Sequence, residues 1–150
     1  MCREIQLRKI LPFLKALVVG WLVTYFFASV FHTQSVLSGL VAIGVEIPLA
    51  DRLATTAYDI WGLLPTYGSA ILGAIFISML IAVILNLWLK APIALGAVAG
   101  ATALLVTLLA MQPIMHVTLI AGARGPIGIA LQCIAGAIGG AAFMWRYQHK

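Results

Sequence analysis

The sequence predicts an all-α, polytopic membrane protein: a bundle of four transmembrane helices with an interfacial or re-entrant helical segment between the first two. Three observations carry this. Of the 150 residues 63% are hydrophobic and only 9% charged, against about 25% charged in an ordinary soluble domain. The apolar residues gather into runs close to the ~20 residues that a spanning helix needs. Pro48, Pro65, Pro92 and Pro126 fall between those runs, where proline's missing N–H does least harm to a helix. This composition excludes a soluble enzyme, a disordered chain, a disulfide scaffold and a sequence-reading nucleic-acid module. Cys2 and Cys133 are too few and too far apart for a metal or disulfide framework and are expected to be free thiols.

The segment Met1 to Lys9 is basic and leads into an apolar run, as a secretory signal does. That run, about residues 10–31, exceeds the usual ~7–15-residue signal core and is followed by no small-x-small cleavage site, so it reads as the first spanning helix. Lys15 near its inner end has a stem long enough to snorkel to the headgroups. Ser35 to Ile47 would be only ~20 Å long as a helix against a hydrocarbon core of ~30 Å, too short to cross. From Leu49 to Leu64, the apolar residues Leu49, Leu53, Ala57, Ile60 and Trp61 recur at helical spacing. Asp51, Arg52, Thr55, Tyr58 and Asp59 take the other faces, which predicts an interfacial helix within the segment 35–64.

The second span is expected over about residues 66–89 and the third over 93–111. The short connection at Lys90, Ala91 and Pro92 makes them an antiparallel hairpin. The fourth runs over 126–145. The intervening loop, Gln112 to Gly125, contains the apolar stretch His116 to Gly122, which could dip into the membrane. Four spans place Arg3, Arg8, Lys9, Lys15, Lys90, Arg146 and Lys150 on one side, with Arg52 and Arg124 on the other. By the positive-inside rule this predicts cytoplasmic N- and C-termini in an inner or plasma membrane. A five-span alternative separates the charges less cleanly.

Gly96 and Gly100 form a G-x-x-x-G in the third span, and Gly136 and Gly140, with Gly139 beside them, another in the fourth. Ser69 and Gly73 are a weaker pair in the second. Such spacing lets backbones approach, inside one chain or between chains. Gln132 in the fourth span is expected to hydrogen-bond across helices. No Asp, Glu, Arg or His falls near the middle of a span, which argues against a proton relay or an intramembrane haem.

The polar chemistry lies at the outer boundary: His32, Asp51, Asp59, His116 and Arg124. Arg124 and Gly125 directly precede the fourth span, where a helix N-terminus attracts anions, and a lipid headgroup is the simplest such ligand. Arg124 pairing with Asp51 or Asp59 is the structural alternative. Asp51 and Asp59 lie ~12 Å apart along a helix axis, too far to share a proton, though either could meet His32 or His116. Two histidines in separate segments make no metal signal, and no cofactor is expected. Size, four spans and outward aspartates are shared with lipoprotein signal peptidases, but nothing around Asp51 or Asp59 matches that family's asparagine-containing motifs.

The function these features favour is a structural or accessory subunit, in a homo-oligomer or with another membrane protein, with membrane lipids around it. Two alternatives stand beside it: a lipid or small-anion binding or transport protein centred on Arg124, and a membrane-embedded hydrolase or transferase using an outer His and Asp.

Overall fold

The computed structural model describes residues 2–42, 44–115 and 126–149, with side chains for 10–42, 44–110 and 127–149. It is all-α: α1 (Cys2–Ala42), α2 (Leu49–Gly62), α3 (Ser69–Leu89), α4 (Pro92–Met115) and α5 (Pro126–Gln148), with a π-helical turn at Leu64–Gly68. Among the described residues, four segments are long and apolar enough to cross a membrane: Ile10–Ala42, Leu64–Leu89, Pro92–Ala110 and Ile127–Gln148.

Cross-helix contacts fix the directions. Gly96 faces Gly140 and Gly100 faces Gly136, so α4 and α5 are antiparallel. Gly20 meets Phe143, and Gln132 reaches the Ala28 carbonyl, so α1 and α5 are antiparallel as well. Phe13 meets Phe76 while Trp21 Nε1 donates to the Gly68 carbonyl, 2.8 Å away, which sets α3 antiparallel to α1. The result is an up-down-up-down bundle with α5 between α1 and α4, and α3 alongside both α1 and α4. Lys15, Lys90 and Arg146 therefore stand at one end, and the α1–α2 connection with Glu46 and Asp51 stands at the other.

The basic end is closed by aromatic packing. Phe13 lies edge-on to Phe143 at 5.3 Å between ring centres and to Tyr147 at 6.3 Å, and Phe143 stacks on Tyr147 at 5.8 Å. Such pairs add about 0.5–1.5 kcal/mol each beyond the area they bury.

The first helix is longer than the sequence suggested. It does not stop near Phe31 but continues through Ser35 to Ala42, so Ser35–Ala42 is its C-terminal extension rather than the start of a separate segment. The stop comes from Gly44 at φ +91°: Gly44 N–H donates to the Val41 carbonyl and Val45 N–H to the Leu40 carbonyl. Those two bonds satisfy two of the four free carbonyls at the helix end, and glycine adopts this left-handed geometry without a Cβ clash. At ~1.5 Å per residue, Ile10–Ala42 reaches ~50 Å and overruns a ~30 Å hydrocarbon core.

Helix α2 then doubles back on α1, and its amphipathicity faces the other way from a core-packed helix. It buries no residue. Its polar residues Thr56 and Asp59 bond to α1, while Leu49, Leu53, Tyr58 and Trp61 are 66–79% exposed. The π-helical turn that follows contains Pro65 and closes with Gly68 N–H on the Leu63 carbonyl, five residues back.

At the other end of α3, Lys90 caps the helix at φ 50°, its N–H on the Asn86 carbonyl, and Pro92 starts α4. The α3–α4 hairpin is thus as tight as its spacing implies. Helix α4 runs on to Met115, so Gln112 to Met115 are helical. The remainder of the expected loop, with His116, the stretch to Gly122, Arg124 and Gly125, lies outside the described residues.

Candidate functional site

Helix packing here is built on absent side chains. A Cβ on Gly100 would overlap the Gly136 carbonyl, and one on Gly136 would overlap the Gly100 carbonyl. Gly96 and Gly140 stand in the same reciprocal relation, with Met144 Cγ 2.6 Å from the Gly96 position. On the opposite side of α5, a Cβ on Gly139 would run into Thr24 Oγ1, and one on Gly20 would lie 2.8 Å from Phe143 Cβ. Helix α5 thus presents two glycine seams, to α4 and to α1, both within the chain. Gly73 has nothing within 4 Å, so the Ser69/Gly73 pair makes no such seam. The Ser69 hydroxyl bonds its own helix at the Pro65 and Thr66 carbonyls.

Gln132 is 1% exposed and holds three elements together. Its Nε2 donates to the Ala28 carbonyl at 3.0 Å, and its Oε1 accepts from the Tyr67 hydroxyl at 2.9 Å. Trp21 and Tyr25 add two more ties from α1: the indole to Gly68 and the phenol to the Ile60 carbonyl at 2.5 Å. These are the polar groups a low-dielectric interior requires to be satisfied. Sequence spacing singled out Gln132 but not its partners Tyr67 and Ala28, since nothing in one helix's pattern names a residue 65 or 104 positions away.

Above this lies the polar cluster between α1 and α2. The Thr33 hydroxyl is 2.7 Å from Asp59 Oδ2 and 3.1 Å from the Ser29 carbonyl, and its single proton goes to the carboxylate, the shorter and charged acceptor. One residue away, His32 is nine-tenths buried and its Nδ1 has no hydrogen-bond partner. Gln34 donates to the Thr56 hydroxyl at 3.4 Å. Thr33 and Asp59, 26 residues apart in sequence, therefore come together, with His32 next to Thr33 on α1. Asp51 does not join them: it is exposed in the first turn of α2, where its carbonyl accepts from Thr55. The expected partners Arg124, Gly125 and His116 lie outside the described residues. Thr33 was not foreseen; the recurrence of Ser29, His32 and Thr33 on one side of α1 was the available signal.

Chemically the cluster offers a carboxylate, an imidazole and two hydroxyls. The Thr33 hydroxyl donates to the Asp59 carboxylate, and the Nδ1 of His32 is left without a hydrogen-bond partner. Among the described residues no group of three His, Cys, Asp or Glu could hold a metal ion.

The third feature faces outward. Between α3 and α4 runs an open apolar groove of about 650 Å³, floored by small residues, Ala74, Ser78 and Ala82 on one wall and Ala99, Thr102 and Ala103 on the other. Its hydroxyls are turned into their own helices: Ser78 to the Ile75 carbonyl, Thr102 to Val98 and Thr107 to Ala103. The groove thus offers almost no free polar group. No known protein family, no characterised protein and no solved structure matches this chain.

Proposed function

We propose that the chain is a small structural or accessory subunit of a complex in an inner or plasma membrane, its termini on the cytoplasmic side, and that α2 is the surface it offers to its partner. The observation that carries this is the inverted amphipathicity of α2. Its polar side is tied to α1 through Asp59 and Thr56, which leaves Leu49, Leu53, Tyr58 and Trp61 pointing away from the bundle. The glycine seams are already occupied within the chain, so assembly would not use them. Contiguous exposed apolar residues rimmed by polar ones suit a protein interface. The orientation follows from Lys15, Lys90 and Arg146 sharing one end of the bundle.

Native mass spectrometry of the protein released from its own membrane in mild detergent tests this, with the double variant Leu53→Ser/Trp61→Ser in parallel. The expected result is a complex of fixed stoichiometry for the wild type that the double variant loses while its helical content is unchanged. Release of the wild type as a single chain, or an equal complex from the variant, overturns the reading and leaves α2 as a helix lying in the bilayer interface.

A further inference from the structure

We infer that the α3–α4 groove is a binding slot for one acyl chain of an anionic glycerophospholipid, with Lys90 as the contact for its headgroup. This concerns a different face from α2 and does not rest on the subunit reading.

Lys90 sits in the turn, and the lining of the groove begins at Leu85 and Leu95, five residues to either side, or ~7.5 Å below it at ~1.5 Å per residue. The headgroup and interfacial layer on one face of a bilayer is about 5–7.5 Å thick, half the difference between the ~40–45 Å whole and the ~30 Å core. A lipid whose phosphate is level with Lys90 therefore has its hydrocarbon starting where the groove starts. Along α3 the lining continues from Leu85 to Ala74, ~16 Å, against the ~15 Å depth of one leaflet's hydrocarbon. Along α4 it reaches from Leu95 to Ala110, ~22 Å, so the wall does not end before the chain does.

The chemistry agrees. The floor is made by Ala82, Ala99 and Ala103 with Ser78 and Thr102, whose hydroxyls are bonded to their own backbones. With branched residues such as Ile81 and Val98 completing the lining and no free donor among the hydroxyls, the slot suits a featureless methylene chain, which can fill it by dispersion contacts alone. At the mouth, Lys90 is exposed, is held at a fixed place by the left-handed cap of α3, and has no carboxylate partner among the described residues. Its ammonium selects a net negative headgroup over a zwitterionic one.

The test uses the full-length protein purified in mild detergent, stripped of lipid and exchanged into nanodiscs of phosphatidylcholine containing one part in ten of phosphatidylglycerol. Retained lipid is then read by native mass spectrometry after gentle release. The expected result is one phosphatidylglycerol per chain, enriched at least tenfold over its share in the disc. Ala103→Phe, which fills the groove, should abolish retention of either lipid. Lys90→Gln should keep the bound lipid but bring the enrichment down to about one, whereas Arg146→Gln at the same end should leave it unchanged. Because a bulky substitution can disturb the hairpin, Thr102→Leu serves as a milder second blocker, with helical content checked for both. Unselective binding by the wild type, undiminished retention in both blocked variants, or a loss of enrichment in Arg146→Gln equal to that in Lys90→Gln would overturn the assignment. So would cysteine cross-linking from Ser78→Cys that captures a protein chain in membranes in place of lipid.

Discussion

The carbonyl oxygen of Gly100 lies where a side chain on Gly136 would begin, and the carbonyl of Gly136 lies where one on Gly100 would begin. Neither position has room for a methyl group, because the obstacle on each side is backbone. In lipid, where acyl tails are as apolar as leucine, this close approach is the main attraction between helices. Gly100→Ala and Gly136→Ala are each expected to destabilise the monomer by about 1–3 kcal/mol through overpacking. Gly73→Ala, which meets nothing, should be neutral or stabilising by up to about 1 kcal/mol from reduced backbone entropy. Unfolding in mixed micelles checks all three.

Gln132 should be worth more than a single hydrogen bond. Gln132→Leu removes the bond to Ala28 and leaves the buried Tyr67 hydroxyl without an acceptor, an expected loss of about 1–3 kcal/mol. Tyr67→Phe added to it should cost far less than Tyr67→Phe alone would suggest, because the hydroxyl it removes is already unpaired. A double-mutant cycle on the same unfolding signal measures this coupling.

The attachment of α2 is expected to depend on Thr33 and Asp59. Helix α2 buries no residue fully; Ile60 packs against the core and Tyr25 donates to its carbonyl, and the Thr33–Asp59 bond adds the side-chain tie nearest the middle of the helix. Thr33→Val should raise amide exchange across residues 49–62 about three- to tenfold, equivalent to roughly 0.7–1.4 kcal/mol, while leaving α4 and α5 protected. Asp59→Leu should act in the same direction. Unchanged exchange in both variants would show that other contacts hold α2 in place.

Lys90 occupies a conformation that glycine adopts more easily. Lys90→Gly should therefore hold the α3–α4 turn at least as firmly, changing stability by no more than about 1 kcal/mol in either direction as relief of the Cβ clash opposes greater unfolded-chain entropy. Thermal unfolding of the detergent-solubilised protein, followed by circular dichroism, checks it.

What one sequence could declare was whatever repeats along a single helix. Apolar runs and their proline boundaries gave four long helices, because a run of that length has no other way to satisfy its backbone in lipid. The Lys90–Pro92 spacing gave the α3–α4 hairpin, and the glycine spacing named the residues able to pack closely. The run of α1 to Ala42 was not read, because the polar residues around Ser35 broke the apolar run on which the boundary near Phe31 rested. Only the tertiary structure could decide which surfaces meet: that both glycine seams lie inside the chain, that Gln132 finds Tyr67 and Ala28, that Asp59 rather than Asp51 accepts from Thr33, and that α2 turns its polar side inward. Periodicity records that a helix has two unlike faces. Which of them turns inward depends on what the neighbouring helix presents, and Thr33 offers α2 a hydrogen-bond donor that a wholly apolar surface would not.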